Sequence, residues 1–170
     1  MKIGYDRFRQ AVVIPWFDTN GRLANIKYRK THGKVFWYEK DAVPIRKLIY
    51  GANVIYKRKI TEVYLVEAEI DAMSLWTLGK PAIAVGGASF TNEQADIIKR
   101  SPIEALYICG DNDRAGDKLR KLVSEKLEGY VNIINVRVSS EYKDVNEALK
   151  QENAINFKKV ETYRMFFRIY

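Results

Sequence analysis

Four carboxylates in this chain stand where a carboxylate can do chemistry instead of only carrying charge. Glu67 follows the apolar run TEVYLV (61–66), Asp111 and Asp113 follow IEALYIC (103–109), and Asp144 follows VNIINVRV (131–138) after a short loop. Ligands of open α/β sheets bind outside the carboxyl ends of the strands, so these runs would deliver acids distant in sequence to one rim. An Asp-x-Asp pair leaving a strand offers two hard oxygen ligands, a donor set that suits Mg2+ or Mn2+ better than zinc. Magnesium keeps several waters and fills its shell with substrate phosphates, which points to phosphoryl transfer with Asp111, Asp113 and Asp144 as metal ligands. Glu67, at a strand-to-helix corner beside that phosphate, is the candidate catalytic acid or base for a hydroxyl. Asp71 lies one helical turn further on. It is a candidate supporting carboxylate, or a first-turn charge of the kind a helix dipole favours.

Plainer readings stand beside these. Asp113 also suits a helix N-cap, so Asp-Asn-Asp-Arg reads equally as a polar turn. Glu69 reads as a solvated first-turn charge. Gly86 and Gly87 end the run PAIAV (81–85) and either let the backbone approach a phosphate or only make a turn. Cys109 reads as a small buried apolar residue, Leu75, Trp76 and Leu78 as core, and the lone His32 receives no role.

The elements that must position these acids follow from periodicity. From Thr61 onward, apolar runs alternate with helical stretches, EIDAMSLWTLG, TNEQADIIKR and AGDKLRKLVSEKLEG, the signature of a doubly wound α/β sheet. In the last of these, Leu119, Leu122, Val123 and Leu127 recur at helical spacing and Gly129 is placed to end it. The first 60 residues read differently, with AVVIPWF, LANIKYR and KVFWY as short strands joined by turns such as Asp18-Thr19-Asn20-Gly21, and a short helix after Pro44. The expected division is a small basic β-rich (α+β) subdomain over 1–57, an α/β domain over 58–150, and a C-terminal segment over 151–170, helix or strand, on the domain edge.

Charge follows the same division. Lys and Arg outnumber Asp and Glu 14 to 4 in residues 1–60 but are outnumbered 15 to 17 in the remainder, within an overall +8. A basic surface beside an acidic site fits an enzyme acting on a polyanion. One cysteine excludes a disulfide or a cysteine-rich zinc site built within these 170 residues. The opening MKIGYDRFRQ has no apolar signal core and no run reaches the roughly 18 apolar residues of a membrane span, so a cytoplasmic protein without a membrane partner is expected.

VEAEIDAMSLW, DNDRAG and KDVNEAL resemble the three carboxylate motifs of the Toprim domain, found in bacterial primases, topoisomerases, some nucleases and recombination proteins. The likeness covers about residues 61–150. Upstream, VVIPWFDTNGRLANIKYRK resembles the strand pair that precedes Toprim in phage primase-helicases, and bacterial DNA primases have a comparable segment. The resemblance implies a Toprim-type, mostly parallel sheet with helices on both faces and a basic groove between it and the small subdomain. It implies a magnesium-dependent primase core making short RNA primers on a single-stranded DNA template from nucleoside triphosphates. A separate replicative helicase and a zinc-binding domain would be partners, in a bacterial or phage-infected cell. Glu67 would be the catalytic acid or base, Asp111, Asp113 and Asp144 the acidic ligands, and Arg29 a residue facing nucleotide or template. Lys27, Lys30, Arg114 and Lys143 complete the expected nucleic-acid or nucleotide contacts, with Trp37, Tyr38 and Tyr28 available to stack on bases.

Three departures accompany the likeness. Ala68 replaces the usual glycine after the glutamate, Gln10 to Val13 lack an arginine often found before the first strand's proline, and neither a cysteine-rich zinc domain nor a P-loop is present. The same carboxylates would equally serve a Toprim nuclease, and the fold alone would serve a non-catalytic nucleic-acid-binding module.

Overall fold

A computed structural model describes residues 2–152 and 155–163. Two sheets form. The first is antiparallel and carries β1 (Gly4–Asp6), β2 (Ala11–Phe17), β3 (Leu23–Lys30) and β4 (Phe36–Tyr38) in that order. The second carries β5 (Glu62–Val66), β6 (Ala82–Ala84), β7 (Ala105–Ile108), β8 (Asn132–Arg137) and β9 (Lys158–Tyr163). Its order is β6-β5-β7-β8-β9, all pairings parallel except β8 with β9.

Both faces of the second sheet are covered. Helices α1 (Ala52–Arg58), α3 (Asn92–Lys99) and α4 (Arg114–Leu127) bury Ile55, Ile98 and Leu119 against Leu65, Leu106 and Ile133. Helices α2 (Glu69–Thr77) and α5 (Val145–Glu152) cover the other face, where Leu75 and Ala148 pack beside Val66 and Val136. Ile14 and Trp16 of β2 join this second cluster, so the antiparallel sheet shares a core with the parallel one. Alternation explains why: Ile14 and Trp16 sit two apart on a strand and point to one face.

The segment after Pro44 is not one helix. Ile45–Lys47 make a single 3-10 turn, Tyr50 forms an antiparallel bridge to Ala84, and Gly51, at φ 83, turns the chain into α1. Ile49, Ala52 and Ile55 belong to the core of the parallel sheet. The expected boundary at residue 57 therefore falls in a helix that packs with the second layer. Of the C-terminal segment, Lys158–Tyr163 form an antiparallel edge strand, and 164–170 lie outside the described residues. No helix among the described residues is long and apolar enough to cross a membrane.

Candidate active site at the carboxyl edge of the parallel sheet

Strands β5 and β7 are neighbours in the centre of the sheet, so the residues that leave their carboxyl ends meet. The Glu67 side chain is buried at that edge, and its Oε1 accepts a hydrogen bond from the Asp111 backbone N–H at 3.2 Å. The Glu67 carbonyl accepts from both Gly86 and Gly87 N–H groups, at 2.8 and 3.1 Å. Of the two readings of this glycine pair, a phosphate contact or only a turn, the turn fits these bonds, which hold the glutamate backbone. Gly86 has φ 84, and a Cβ there would meet Ile45 Cγ2 at 2.8 Å and Trp16 Cη2 at 3.0 Å, which excludes a side chain at this turn.

The Asp111–Asp113 turn is tied down at every residue. Asn112 donates its side-chain amide to the carbonyls of Ser139 and Tyr142, at 3.1 and 2.8 Å, and its backbone N–H to Lys143 O, joining this turn to the loop before Asp144. Asp113 is the N-cap of α4, its Oδ1 accepting from Ala115 and Gly116 N–H. Asp144 Oδ1 accepts from Glu147 N–H at the start of α5, a helix that periodicity did not delimit. Asp71 Oδ1 accepts from Asn146 N–H at 3.0 Å, so α2 and α5 are joined through a carboxylate. Arg120, buried in α4, grips the turn from below, donating to Gly110 O at 2.6 Å and Asp111 O at 3.3 Å.

Burial and mutual repulsion raise these acids. Burial, then the charges of Asp111 and Asp113, pushes Glu67 up to about 6, and burial, then Asp144, pushes Asp71 up to about 7. Asp111 is raised as well, by burial and then by Asp144 and Asp113, against the opposing pull of Lys143 and Arg120. Among the described residues no three side chains already stand as a closed chelate. The donor set nonetheless fits a hard, water-rich cation: Asp113 and Asp144 each commit one oxygen to a helix N–H, and a divalent charge would relieve the repulsion that raises Asp111, Glu67 and Asp71.

That repulsion has a measurable consequence. Glu67 and Asp71 hold their protons more tightly in the folded chain than at their ordinary values of 4.5 and 3.8. Their contribution to stability is complete below about pH 4 and is lost as pH rises through about 6 and 7. In a chelator, the melting temperature is expected to fall between about pH 4 and 7, and Asp71→Asn is expected to flatten that slope.

Gly116 is a packing necessity. A Cβ there would lie 2.0 Å from Asp111 O and 2.7 Å from Asp111 N, both backbone atoms. Gly116→Ala is expected to displace the Asp111 turn, costing at least the 1–3 kcal/mol or so typical of overpacking, and to weaken magnesium binding. Denaturant unfolding and metal titration read the two effects.

Several expectations are corrected. Lys27 does not line a groove: it is 8% exposed and its Nζ lies 2.8 Å from Glu69 Oε2, with Phe36 and Tyr38 rings over it. Glu69 is not solvated: it is 1% exposed and also accepts from Trp16 Nε1 at 3.1 Å. A buried charge demands a partner, and each supplies the other's. Lys30 is on the opposite face of β3 from Arg29, with its Nζ donating to Arg9 O, so those two cannot line one groove. Tyr28 and Trp37 stack on each other, at 5.3 Å between ring centres, rather than standing open. Arg114 and Lys143 are exposed beside Asp113 and Asp144. Arg120, Asn112, Gly116 and the Glu69–Lys27 pair carry the positioning, a role the sequence pattern does not assign them; its traces are Asn112 and Gly116 inside DNDRAG and Arg120 beside the apolar stripe of α4.

A mostly parallel α/β layer, covered on both faces and lined with acids at its carboxyl edge, defines the class of Toprim-type domains. The Toprim-like family profile matches residues 64–149, and the chain belongs to that family. It is 29% identical to a DNA primase of Halalkalibacterium halodurans over 91% of this chain and 27% of that one. Among solved structures it is similar to a DNA primase domain from Pseudomonas aeruginosa, with TM-score 0.70 and 22% identity, covering 86% of this chain and 49% of that one. It is also similar to the primase fragment of the bacteriophage T7 primase-helicase, with TM-score 0.66 and 22% identity, covering 81% and 57%. The chain is thus a primase-like Toprim domain, and it spans about a quarter of the length of that curated primase.

Proposed function

We propose that this domain joins ribonucleotides into short primers on single-stranded DNA, with Mg2+ or Mn2+ held at Asp111, Asp113 and Asp144. The observation that carries the reading is Glu67. A buried carboxyl group held by the Asp111 N–H, with its proton affinity raised to about 6, suits proton transfer at neutral pH. When bound, the metal supplies charge neutralisation for triphosphate oxygens and lowers the pKa of a coordinated hydroxyl.

The remaining steps belong to side chains. Asp111 and Asp113 hold the metal edge of the site, Asp144 closes it from the α5 side, and Asp71 supports them through the Asn146 contact. Glu67 accepts the proton of the attacking 3′-hydroxyl. Arg29, Arg114 and Lys143 stand to meet phosphates of template or triphosphate, and a helicase and a zinc-binding domain would be supplied by other chains or segments. The test is incubation of the purified chain with magnesium, a single-stranded template and labelled ribonucleotides, with strand cleavage followed in parallel. Template-dependent incorporation is expected. Cleavage without incorporation would instead mark a nuclease, and tight binding with neither activity a binding module.

A further inference from the structure

Helices α1 and α2 lie on opposite faces of the parallel sheet, and its outer strand β6 runs between them. A pocket of about 350 Å³ opens across that margin, lined by Val54 and Arg58 of α1, by Met73, Trp76 and Thr77 of α2, and by Ile3 just before β1. Spacing explains the lining. Val54 and Arg58 stand one turn apart, and Met73, Trp76 and Thr77 stand at i, i+3 and i+4, so each helix contributes one stripe.

The polar groups of this lining are nearly all engaged. Trp76 Nε1 donates to Ala82 O at 2.8 Å and Thr77 Oγ1 to Ser74 O at 2.7 Å, which leaves ring and methyl surface to the pocket. Only Arg58 keeps a free side-chain donor: it is exposed and makes no ion pair among the described residues. The segments that frame the pocket also carry one sign of charge. Residues 2–5, 53–59 and 73–80 hold Lys2, Lys57, Arg58, Lys59 and Lys80 and no acid. Lys80 lies over the Tyr64 ring, and the other four pair with no carboxylate among the described residues. The last turn of a helix favours cations, which accounts for Lys57 and Arg58 but not for the lack of any acid in these segments.

Together these properties choose the occupant. A nucleotide base would leave most of its polar edge without a partner in a lining that offers one guanidinium, and a purely apolar surface would bury Arg58 unpaired. A peptide that inserts one large apolar side chain and flanks it with carboxylates satisfies both components, and Met73 can adapt to the shape of that side chain.

We propose that this pocket docks an acidic segment of a partner protein, which inserts one aromatic or large aliphatic side chain between α1 and α2 and sets its carboxylates against Arg58 and Lys57. The site is separate from the carboxylate edge: Trp76 lies seven residues along α2 from Glu69, roughly 10 Å by helical rise.

The test uses the whole chain and a labelled peptide of aspartates and glutamates around one phenylalanine, with fluorescence anisotropy as the readout. Ile3→Asp puts a charge into the lining and Arg58→Glu reverses the rim; both positions are exposed, so the fold should persist, as circular dichroism would verify. The parent is expected to bind this peptide saturably, and to bind its alanine counterpart about tenfold more weakly because a buried aromatic side chain is lost. Each variant should lose at least as much on the phenylalanine peptide. Absence of saturable binding, equal binding of the two peptides, or full affinity in either variant would overturn the proposal. So would an equal loss of oligodeoxythymidine affinity in Ile3→Asp, which would give the pocket to nucleic acid. A parent that sediments as a dimer while Arg58→Glu sediments as a monomer would give it to a second copy instead. Nucleotide incorporation should be the same in parent and variants whatever its level, so failure of the primer-synthesis reading leaves this result untouched.

Discussion

Glu67→Gln is expected to lower primer synthesis by about 10²–10⁴-fold while leaving the fold and most single-strand affinity in place. The amide is nearly isosteric and its carbonyl oxygen can still accept from the Asp111 N–H, so the turn should not move. Only proton transfer is lost. In the parent, activity should climb with pH as the Glu67 carboxyl group loses its proton and becomes able to accept one, and the residual activity of Glu67→Gln should lack that rise. Asp111→Asn should behave differently, with activity partly restored by raising magnesium because the ligand set, not the base, is impaired. Steady-state incorporation over a magnesium and pH series separates the two. A fully active Glu67→Gln protein would remove Glu67 from the chemistry.

The second large effect falls on stability. Lys27→Met leaves Glu69 charged, buried and bonded only through Trp16 Nε1, and breaking one side of such a pair costs about 3–5 kcal/mol. For a chain of this size the melting temperature should fall by roughly 10 °C. Lys27→Met combined with Glu69→Gln should recover most of the loss, because the neutral amide still accepts from Trp16 and no charge remains unpaired. Thermal unfolding of the four proteins of this cycle measures the coupling. Since Glu69 stands two residues from Glu67 at the start of α2, the single variant should also loosen the catalytic corner.

The parallel layer was legible in the sequence because its signals are local and redundant. Strands β5, β6 and β7 are apolar runs followed by an acid or a glycine, and the α4 stripe from Leu119 to Leu127 repeats at helical spacing. The acids came with it, since the edge they share follows from strand direction alone. What escaped was partnership across layers. Lys27 and Glu69 read as surface charges because nothing in a linear pattern says that β3 will lie over α2. Lys30 and Arg29 read as one basic patch because adjacent residues on a strand look contiguous until alternation sends them to opposite faces. Arg120 sits beside an apolar stripe, where the carbonyls of Gly110, Asp111 and Val136 and the Asp117 carboxylate partner a buried guanidinium. The 3-10 turn and αL glycine before α1 escaped for a related reason: the Tyr50 bridge to Ala84 interrupts a segment that is otherwise helical in composition.

That bridge bears on how the molecule behaves at high concentration. Strand β6 is the outer strand of the parallel layer, and Tyr50 exchanges both backbone hydrogen bonds with Ala84, at 2.9 and 3.1 Å, on its otherwise open side. An unprotected strand of Ala82, Ile83 and Ala84 would be a ready template for edge-to-edge pairing between molecules. The linker between the layers is therefore also the guard of a sticky margin, and cutting the chain after Tyr50 to isolate the parallel layer would leave Ala82 to Ala84 open to pairing between molecules.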